Sequence, residues 1–248
     1  MALFDYSYYI DSAKLAVQND EIFASFKILP YYSMILEHVD HIQGAQYLKE
    51  CWNIFSLTDK EIETFCHLND KFGSPKLYEY SSTLQCSPTS LRYIFQSHII
   101  LQHMQSLGLK EVKIVELGCG YGGLFLALQH FAPKMGITIQ HYACIDFKEV
   151  TELIQKYISR HSVSTPATYH DTFKFGTDIE GTDLFLISNY CFSEIAKEYQ
   201  HIYRQTLLPK CSHGFLAWNM IDVYDIGKQI TVKDEIPQTG PKNKFLYF

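Results

Sequence analysis

The stretch that decides the fold is Glu116-Leu117-Gly118-Cys119-Gly120-Tyr121-Gly122-Gly123. It follows an apolar run at residues 112–115, which is typical of a short strand, and it precedes a segment at residues 124–131 that favours a helix. Glycine tolerates positive φ and lets a ligand approach the backbone, and the N-terminus of the following helix presents free N–H groups. The order of strand, glycine-rich turn and helix therefore predicts a ligand-binding turn.

Strands and helices continue to alternate after this turn. The pattern predicts further strands at residues 141–146, 167–170, 183–187 and 214–218, helices at 150–159 and 194–206, and two short last strands at 229–232 and 245–248. Alternation of this kind is typical of a parallel sheet with right-handed crossovers. We expect an α/β fold with a Rossmann-like, mostly parallel sheet of six to seven strands.

The first seventy residues have a different character, because their apolar residues recur at helical spacing. Thr58 is followed three residues later by Glu61, which is the spacing of a helix capping box. A turn-rich break at residues 71–75 then precedes a long helix that begins near Pro88. We therefore predict a helical N-terminal cap over residues 1–72 and a ligand-binding domain over residues 73–248.

Composition limits the classes of function. The chain has 248 residues, of which 47% are hydrophobic, and its formal net charge of −6 argues against nucleic acid as a partner. Seven cysteines without a C-x-x-C motif indicate reduced thiols in a cytoplasmic protein rather than a disulfide framework or a zinc site, and we identify no metal ligands. No signal peptide and no membrane span are predicted. The oligomeric state is left open, a homo-oligomer included.

The glycine turn fits two cofactors. Gly118, Gly120 and Gly123 satisfy the dinucleotide pattern G-x-G-x-x-G, whereas Glu116 together with Gly118, Gly120 and Gly122 satisfies the pattern E-x-G-x-G-x-G expected for S-adenosylmethionine. An acid before the first glycine can meet an ammonium group but is unfavourable beside a pyrophosphate. This favours S-adenosylmethionine. Asp146, at the end of the second strand, suits the ribose hydroxyls of either cofactor.

From about residue 72 onwards the chain resembles the sugar O-methyltransferases, a family of class I methyltransferases associated with surface-polysaccharide biosynthesis. The matching stretches are residues 72–75, 87–93, 115–123, 188–194 (Ser-Asn-Tyr-Cys-Phe-Ser-Glu) and 236–241. The segment 188–194 is the stretch most specific to this family, whereas the glycine motif is common to the whole superfamily. The resemblance implies methyl transfer from S-adenosylmethionine to a hydroxyl of a small-molecule or glycan sugar acceptor.

The cofactor is expected to lie at the carboxyl ends of the strands. Asp171 is a candidate for the adenine amino group, and the guanidinium of Arg92 suits the carboxylate of the methionine part or an anionic acceptor. The full set of predicted cofactor residues is Glu116, Gly118, Gly120, Tyr121, Gly122, Asp146, Asp171, Ser188 and Arg92.

A sugar hydroxyl needs a base to take its proton during methyl transfer. Glu194 is the first candidate, since it follows the fourth strand and would begin a helix, and His170 is the second. Asn189 could hold a sugar hydroxyl, and Tyr190 could stack on the sugar ring. Tyr93 is also predicted to bind the acceptor. Two alternatives stay open, namely an NAD(P)-dependent oxidoreductase and a cofactor-binding module without catalysis.

Overall fold

The computed structural model describes residues 6–248, and the first part of this region is helical, as the sequence predicts. Capping boxes at Asp40 and Thr58, in which each side chain accepts a hydrogen bond from the amide three residues later, begin the fourth and fifth helices. A two-stranded antiparallel hairpin and a long helix follow. These elements are α1 (Ser7–Gln18), α2 (Asp20–Ser25), α3 (Pro30–Leu36), α4 (His41–Phe55), α5 (Asp59–Asp70), β1 (Tyr78–Glu79), β2 (Gln85–Cys86) and α6 (Pro88–Ser106).

The rest of the chain forms a seven-stranded sheet in the order β5-β4-β3-β6-β7-β9-β8. The first five strands in this order are parallel, whereas β9 is antiparallel to both β7 and β8. The expected α/β fold with a Rossmann-like, mostly parallel sheet is therefore confirmed. The elements are β3 (Glu111–Leu117), α7 (Gly123–Phe131), β4 (Thr138–Asp146), α8 (Lys148–Ser159), β5 (Ala167–Asp171), β6 (Leu184–Asn189), α9 (Lys197–Thr206), β7 (Cys211–Trp218), β8 (Thr231–Asp234) and β9 (Lys244–Tyr247).

The order of the strands fixes where a crevice can form. The chain runs from β3 through β4 to β5 on one side, then crosses back to β6 and β7 on the other. The connections on either side of the β3–β6 boundary diverge, and the carboxyl ends of these two strands lie at the topological switch point where open α/β sheets bind ligands. The central strands are buried along most of their length because helices cover both faces of the sheet.

The N-terminal helices pack on the face of the sheet that carries α6, α7 and α8. Phe26 and Phe65 belong to the same buried cluster as Tyr121 and Tyr157 of the following region. Helix α1 also contacts α8, where the Lys156 ammonium donates hydrogen bonds of 3.0 Å to two carbonyls at the end of α1. The two regions thus share one hydrophobic core, and the domain boundary at residues 72/73 stays a prediction.

The sequence-based prediction of a helix from residue 194 is wrong at its start. A 3₁₀ turn spans Phe192–Glu194, residues 195 and 196 are extended, and α9 begins at Lys197. The Gln200 side chain of α9 donates a hydrogen bond to the Phe192 carbonyl over 3.1 Å, which stabilises the separate turn. Glu194 therefore lies in a connection before the helix.

Two further observations concern the molecule as a whole. All seven cysteines are free, and six of them are buried. Within residues 6–248, no helix has both the length and the apolar character that crossing a membrane requires.

Candidate functional site

The glycine turn after β3 is closely approached from two sides. Gly118 has φ of 80°, and a Cβ atom there would lie 2.4 Å from the Cβ atom of Cys191, which follows β6. Gly120 has φ of 58°, and its Cβ atom would lie 3.0 Å from a methyl group of Leu36 at the end of α3. Both positions therefore need glycine for backbone conformation and for space.

Asp146 ends β4 and holds the glycine turn through backbone hydrogen bonds. Its Oδ2 accepts from the amides of Cys119 (2.8 Å) and Gly120 (3.3 Å), and its Oδ1 accepts from the amide of Phe147 (2.8 Å). Burial raises the pKa of Asp146 to about 6, although these three donors oppose the shift. Asp146, the acid predicted to bind the ribose hydroxyls, thus lies beside the turn, and both of its carboxylate oxygens already accept hydrogen bonds from backbone N–H groups.

Glu116 lies in β3, two residues before the first glycine, and is 2% exposed. Its Oε2 accepts a hydrogen bond of 2.7 Å from the hydroxyl of Tyr142 on β4. Burial raises the pKa of Glu116 to about 8, and the negative charge of Asp146 adds to the shift. A buried carboxyl group with a raised pKa favours a cationic ligand, because a nearby positive charge would stabilise the ionised form of the carboxyl group.

Tyr121 contributes its side chain to the core. Its ring is fully buried among Tyr93, Tyr157 and Phe26, and its hydroxyl accepts a hydrogen bond of 3.0 Å from the Asn69 amide. A contact of this residue with a ligand would therefore involve its backbone. Gly122, which is also among the predicted cofactor residues, is the N-cap of α7 and has φ of 88°.

The start of α1 and the end of α3 reach the carboxyl ends of the central strands. The ring of Tyr6 lies 5.8 Å from that of Phe147, which follows β4, and the Tyr6 hydroxyl donates a hydrogen bond of 3.1 Å to Glu194, which follows β6. Leu36 contacts the glycine turn from α3, as described above. The N-terminal region therefore takes part in the candidate site, which the sequence analysis did not predict.

Ser188 near the end of β6 holds the segment that leaves this strand. It is fully buried, and its hydroxyl donates to the Leu117 carbonyl over 2.8 Å and accepts from the Phe192 amide over 3.0 Å. Both hydrogen-bonding roles of the hydroxyl are therefore used within the protein. Ser188 fixes the position of the loop after β6, and the prediction of a direct contact with a cofactor gains no support from its hydroxyl.

Asn189 and Tyr190 contact residues that the sequence analysis did not single out. The Asn189 Nδ2 atom donates a hydrogen bond of 3.0 Å to Oε1 of Gln96 on α6. Tyr190 has φ of 57°, and its hydroxyl donates to the buried carboxylate of Glu235. Glu235 in turn accepts from the amide of Thr239 over 2.7 Å. The loop between β8 and β9 thus forms a wall beside the predicted acceptor residues.

Arg92 lies one turn before Gln96 on α6 and is 6% exposed. One of its terminal nitrogens donates a hydrogen bond of 2.9 Å to the Leu36 carbonyl, and its Nε atom is buried without a partner. With residues 6–248 Arg92 forms no ion pair of 4.0 Å or less. The adjacent Tyr93 lies beneath it, with the guanidinium carbon 5.6 Å from the ring centre. The buried Glu37 carboxyl acts on the Arg92 charge from beyond ion-pair distance, and an anionic ligand group could pair with the Nε atom that has no partner.

Glu194, the first candidate base, is half-buried. One of its oxygens accepts from Tyr6, and the other accepts from the side-chain amide of Asn219, which follows β7. Burial raises the pKa of Glu194, and these two hydrogen bonds oppose the shift. The carboxylate therefore lies where the N-terminal region, β6 and β7 meet.

The two predicted residues of β5 have local partners. His170 contacts the Asp178 carboxylate through Nδ1 at 3.1 Å and the Thr168 hydroxyl through Nε2 at 2.8 Å. The Asp171 carboxylate accepts a hydrogen bond of 3.0 Å from the Phe173 amide and caps a 3₁₀ turn. Asp171 pairs with Asp146 across the strands, so it lies on the same edge of the sheet as the glycine turn. No contact joins His170 to Glu194 among the interactions of residues 6–248 described above.

Known proteins resemble this chain in structure rather than in sequence. No family model matches the chain, and no curated protein matches it. A S-adenosylmethionine-dependent methyltransferase from Aquifex aeolicus is similar over 59% of this chain and 86% of its own, with 14% identity and a TM-score of 0.46.

Two further solved structures have a similar level of likeness. Magnesium protoporphyrin IX methyltransferase (ChlM) from Synechocystis PCC 6803, with bound S-adenosylmethionine, is similar over 63% of this chain and 81% of its own, with 13% identity and a TM-score of 0.43. The mitomycin 7-O-methyltransferase MmcR is similar over 64% of this chain and 56% of its own, with 12% identity and a TM-score of 0.42. Likeness at this level concerns the fold, and the fold of this chain is assigned from its own strand order.

Proposed function

We propose that this protein is a S-adenosylmethionine-dependent O-methyltransferase that acts on a sugar hydroxyl. The observation that carries the proposal is the pair of buried acids at the glycine turn. Glu116 precedes the turn on β3, and Asp146 binds its amides from the end of β4, at the switch point of the sheet. Two buried acids with raised pKa values beside one glycine turn favour a ligand that brings positive charge and hydroxyl groups.

Asp146 also argues against a dinucleotide. A pyrophosphate binds glycine turns of this kind through backbone N–H groups. Here the amides of Cys119 and Gly120 donate to the Asp146 carboxylate, so a pyrophosphate would have to displace this anion or lie beside it. The repulsion would oppose dinucleotide binding, which makes the oxidoreductase the weaker alternative.

The charged groups around the turn fit the amino-acid part of the proposed donor. Glu116 would accept the ammonium group, and the guanidinium of Arg92, whose buried Nε atom has no partner, would bind the carboxylate. Asp146 would bind the ribose hydroxyls, and the backbone of residues 118–122 would line the crevice. Asp171 remains our proposed contact for the adenine amino group.

When bound, the donor supplies an electrophilic methyl group on a positively charged sulfur. Glu194 would take the proton of the attacking hydroxyl, since burial has raised the pKa of its carboxyl group toward the range useful for a base. Asn219 and Tyr6 hold its two oxygens and would orient it. His170 is the second candidate. Asn189, Tyr190 and Tyr93 would line the acceptor side.

The biological setting proposed here follows the resemblance described in the sequence analysis. The acceptor would be a small sugar or a glycan, methylated in the cytoplasm during the biosynthesis of a surface polysaccharide. The negative net charge and the absence of a basic motif make nucleic acid an unsuitable acceptor in this proposal.

Calorimetry with S-adenosylhomocysteine and NADH tests the proposed cofactor. We expect S-adenosylhomocysteine to bind with micromolar affinity, and NADH not to bind at millimolar concentration. Glu116→Gln should weaken binding of S-adenosylhomocysteine by at least tenfold, whereas Glu111→Gln, an exposed change on the same strand, should leave it unchanged. NADH binding without S-adenosylhomocysteine binding would refute the proposal.

A further inference from the structure

Two side-chain amides face each other between α6 and the end of β6. Oε1 of Gln96 accepts a hydrogen bond of 3.0 Å from Nδ2 of Asn189. The other two polar atoms of this pair, Nε2 of Gln96 and Oδ1 of Asn189, are buried and have no partner within the part of the chain that the structure describes. Gln96 is 1% exposed. Leaving such atoms unpaired is unfavourable, so a ligand group that pairs with both would be favoured.

The unpaired set has the same chemistry whichever way the amides are oriented. If both amides were turned over, Gln96 would donate to Asn189, and the free atoms would be one carbonyl oxygen and one NH₂ group again. The pair therefore always offers one donor and one acceptor. A hydroxyl group is the small neutral group that accepts one hydrogen bond and donates another. A carboxylate could satisfy only the donor of the pair, and an ammonium group only the acceptor.

The position of the pair places it beside the proposed methyl-transfer site. Residue 187 of β6 pairs with Glu116 of β3, so Asn189, two residues further on, lies at the level of Gly118. Arg92, one helical turn before Gln96, has a buried Nε atom without a partner as well. Tyr190 follows Asn189 and is held by Glu235. This part of α6 thus carries two buried polar atoms without a partner in residues 6–248, one helical turn apart.

We infer that Gln96 and Asn189 form a subsite that recognises a hydroxyl group of a neutral, polyhydroxylated acceptor. The inference rests on the proposed function and deepens it, because it names the group by which the acceptor is recognised. Gln96 is then a specificity-determining residue. An acceptor that lacks the recognised hydroxyl would leave both amides unpaired and would be rejected.

The test combines Gln96 variants with a set of defined acceptors. Gln96→Met keeps the size of the side chain but removes both amide groups, and Gln96→Glu keeps the acceptor atoms but removes the donor. The acceptors are methyl glucoside, methyl galactoside and methyl mannoside, the UDP- or GDP-linked forms of the same sugars, and the monodeoxy series of the best substrate. The readouts are kcat/KM for methyl transfer, the Kd for S-adenosylhomocysteine, and Tm.

We expect both variants to lower kcat/KM for the best acceptor by 10- to 100-fold, on the order of the loss of one or two hydrogen bonds, with the S-adenosylhomocysteine Kd within twofold of wild type. With one of the monodeoxy acceptors, wild type and Gln96→Met should have the same kcat/KM, since the hydroxyl that the amide recognises is gone. The control Gln105→Met, on the exposed part of α6, should behave like wild type.

Other outcomes overturn the inference in distinguishable ways. An unchanged kcat/KM in Gln96→Met, or a tenfold change in the Kd for S-adenosylhomocysteine, would remove the acceptor subsite and leave the proposed function intact. A lower Tm with unchanged kinetics would make the pair merely structural. Cofactor binding without methylation of any glycoside would remove both the sugar acceptor and this subsite. Lack of cofactor binding would remove the proposed function itself.

Discussion

Oδ2 of Asp146 accepts a hydrogen bond from the backbone N–H of Cys119 over 2.8 Å, and this bond joins the end of β4 to the turn that follows β3. The acid proposed for the ribose therefore also shapes the turn that would hold the rest of the donor. Binding of a ribose at this carboxylate would share or replace its backbone hydrogen bonds. The stability of the turn and the affinity for the donor should consequently change together when Asp146 is altered.

Asp146→Asn should weaken both folding and binding. The new NH₂ group must face either the Phe147 amide or the amides of Cys119 and Gly120, all of which are donors. We expect a loss of about 1–3 kcal/mol in the free energy of unfolding, because a buried N–H loses its acceptor. Urea denaturation at pH 7.5 measures it. Asp183→Asn, an exposed change at the opposite end of β6, should cost less than about 0.5 kcal/mol, and equal losses in the two variants would contradict the assignment.

Glu116 should make stability depend on pH. Burial raises its pKa from 4.5 to about 8, so between these pH values the native state binds a proton that the unfolded chain has released. The contribution of Glu116 to stability therefore falls as pH rises through this window. Glu116→Gln should raise Tm relative to wild type more at pH 8 than at pH 5. Glu111→Gln should give no such difference, and a pH-independent effect of Glu116→Gln would show that the carboxyl group is not the cause.

Binding of the donor should release a proton from Glu116. An ammonium group beside this carboxyl lowers its pKa from about 8, so the proton leaves when the ligand binds near neutral pH. Calorimetry of S-adenosylhomocysteine binding in phosphate and in Tris, whose ionisation enthalpies differ, measures the number of protons released. We expect up to about one proton for wild type and close to none for Glu116→Gln. Identical enthalpies in both buffers would mean that the ammonium does not meet this acid.

Arg92→Met should separate stability from binding. The variant removes a buried cation that has no carboxylate within ion-pair distance in residues 6–248 but donates one hydrogen bond to the Leu36 carbonyl, so the unliganded Tm should fall by no more than the loss of one hydrogen bond explains. The affinity for S-adenosylhomocysteine should fall by about 100-fold, in line with a charged hydrogen bond of about 1.5–3 kcal/mol. Thermal shift with and without ligand checks both. Arg160→Met, at a partly exposed arginine paired with Asp20, should leave ligand binding unchanged; a loss of Tm in Arg92→Met with normal affinity would reverse our interpretation.

Tyr6→Phe should move the acidic limb of the pH–rate profile. The Tyr6 hydroxyl donates to Glu194 and lowers the pKa of this carboxyl group, so its loss should raise that pKa. If Glu194 is the base, the acidic limb of kcat/KM for methyl transfer moves to higher pH. Tyr8→Phe changes an exposed residue of the same helix and should have no effect. An unmoved limb in Tyr6→Phe would argue that another group takes the proton.

The sequence predicted well those features that follow from local order. Glu116 and Asp146 lie near each other because they stand close to the carboxyl ends of two adjacent parallel strands, which share one edge of the sheet. The glycine turn directly follows β3, so it lies at the same edge of the sheet as these two acids. The capping box at Thr58 and the apolar periodicity also predicted helices in the N-terminal region, apart from their boundaries, whereas the capping box at Asp40 was not predicted.

The features that it did not predict depend on contacts between distant elements. Tyr6 and Glu194 are separated by 188 positions, and nothing in either local sequence indicates their hydrogen bond. Gln96 looks like one polar residue on an apolar helix until β6 brings Asn189 beside it. Ser188 was expected to face a cofactor, but the backbone of the neighbouring strand and loop uses its hydroxyl. Periodicity describes which face is buried, and it carries no information on which polar atoms remain unpaired.

The shared core has a practical consequence for anyone who expresses parts of this protein. The rings of Tyr121 and Tyr157 pack against Phe26, and Phe131 packs against Phe65. A shortened chain that starts at residue 73 would present these rings to water as a contiguous apolar patch, and such patches promote aggregation. Shortened variants should therefore retain the early helices, even when only the Rossmann-like half is of interest.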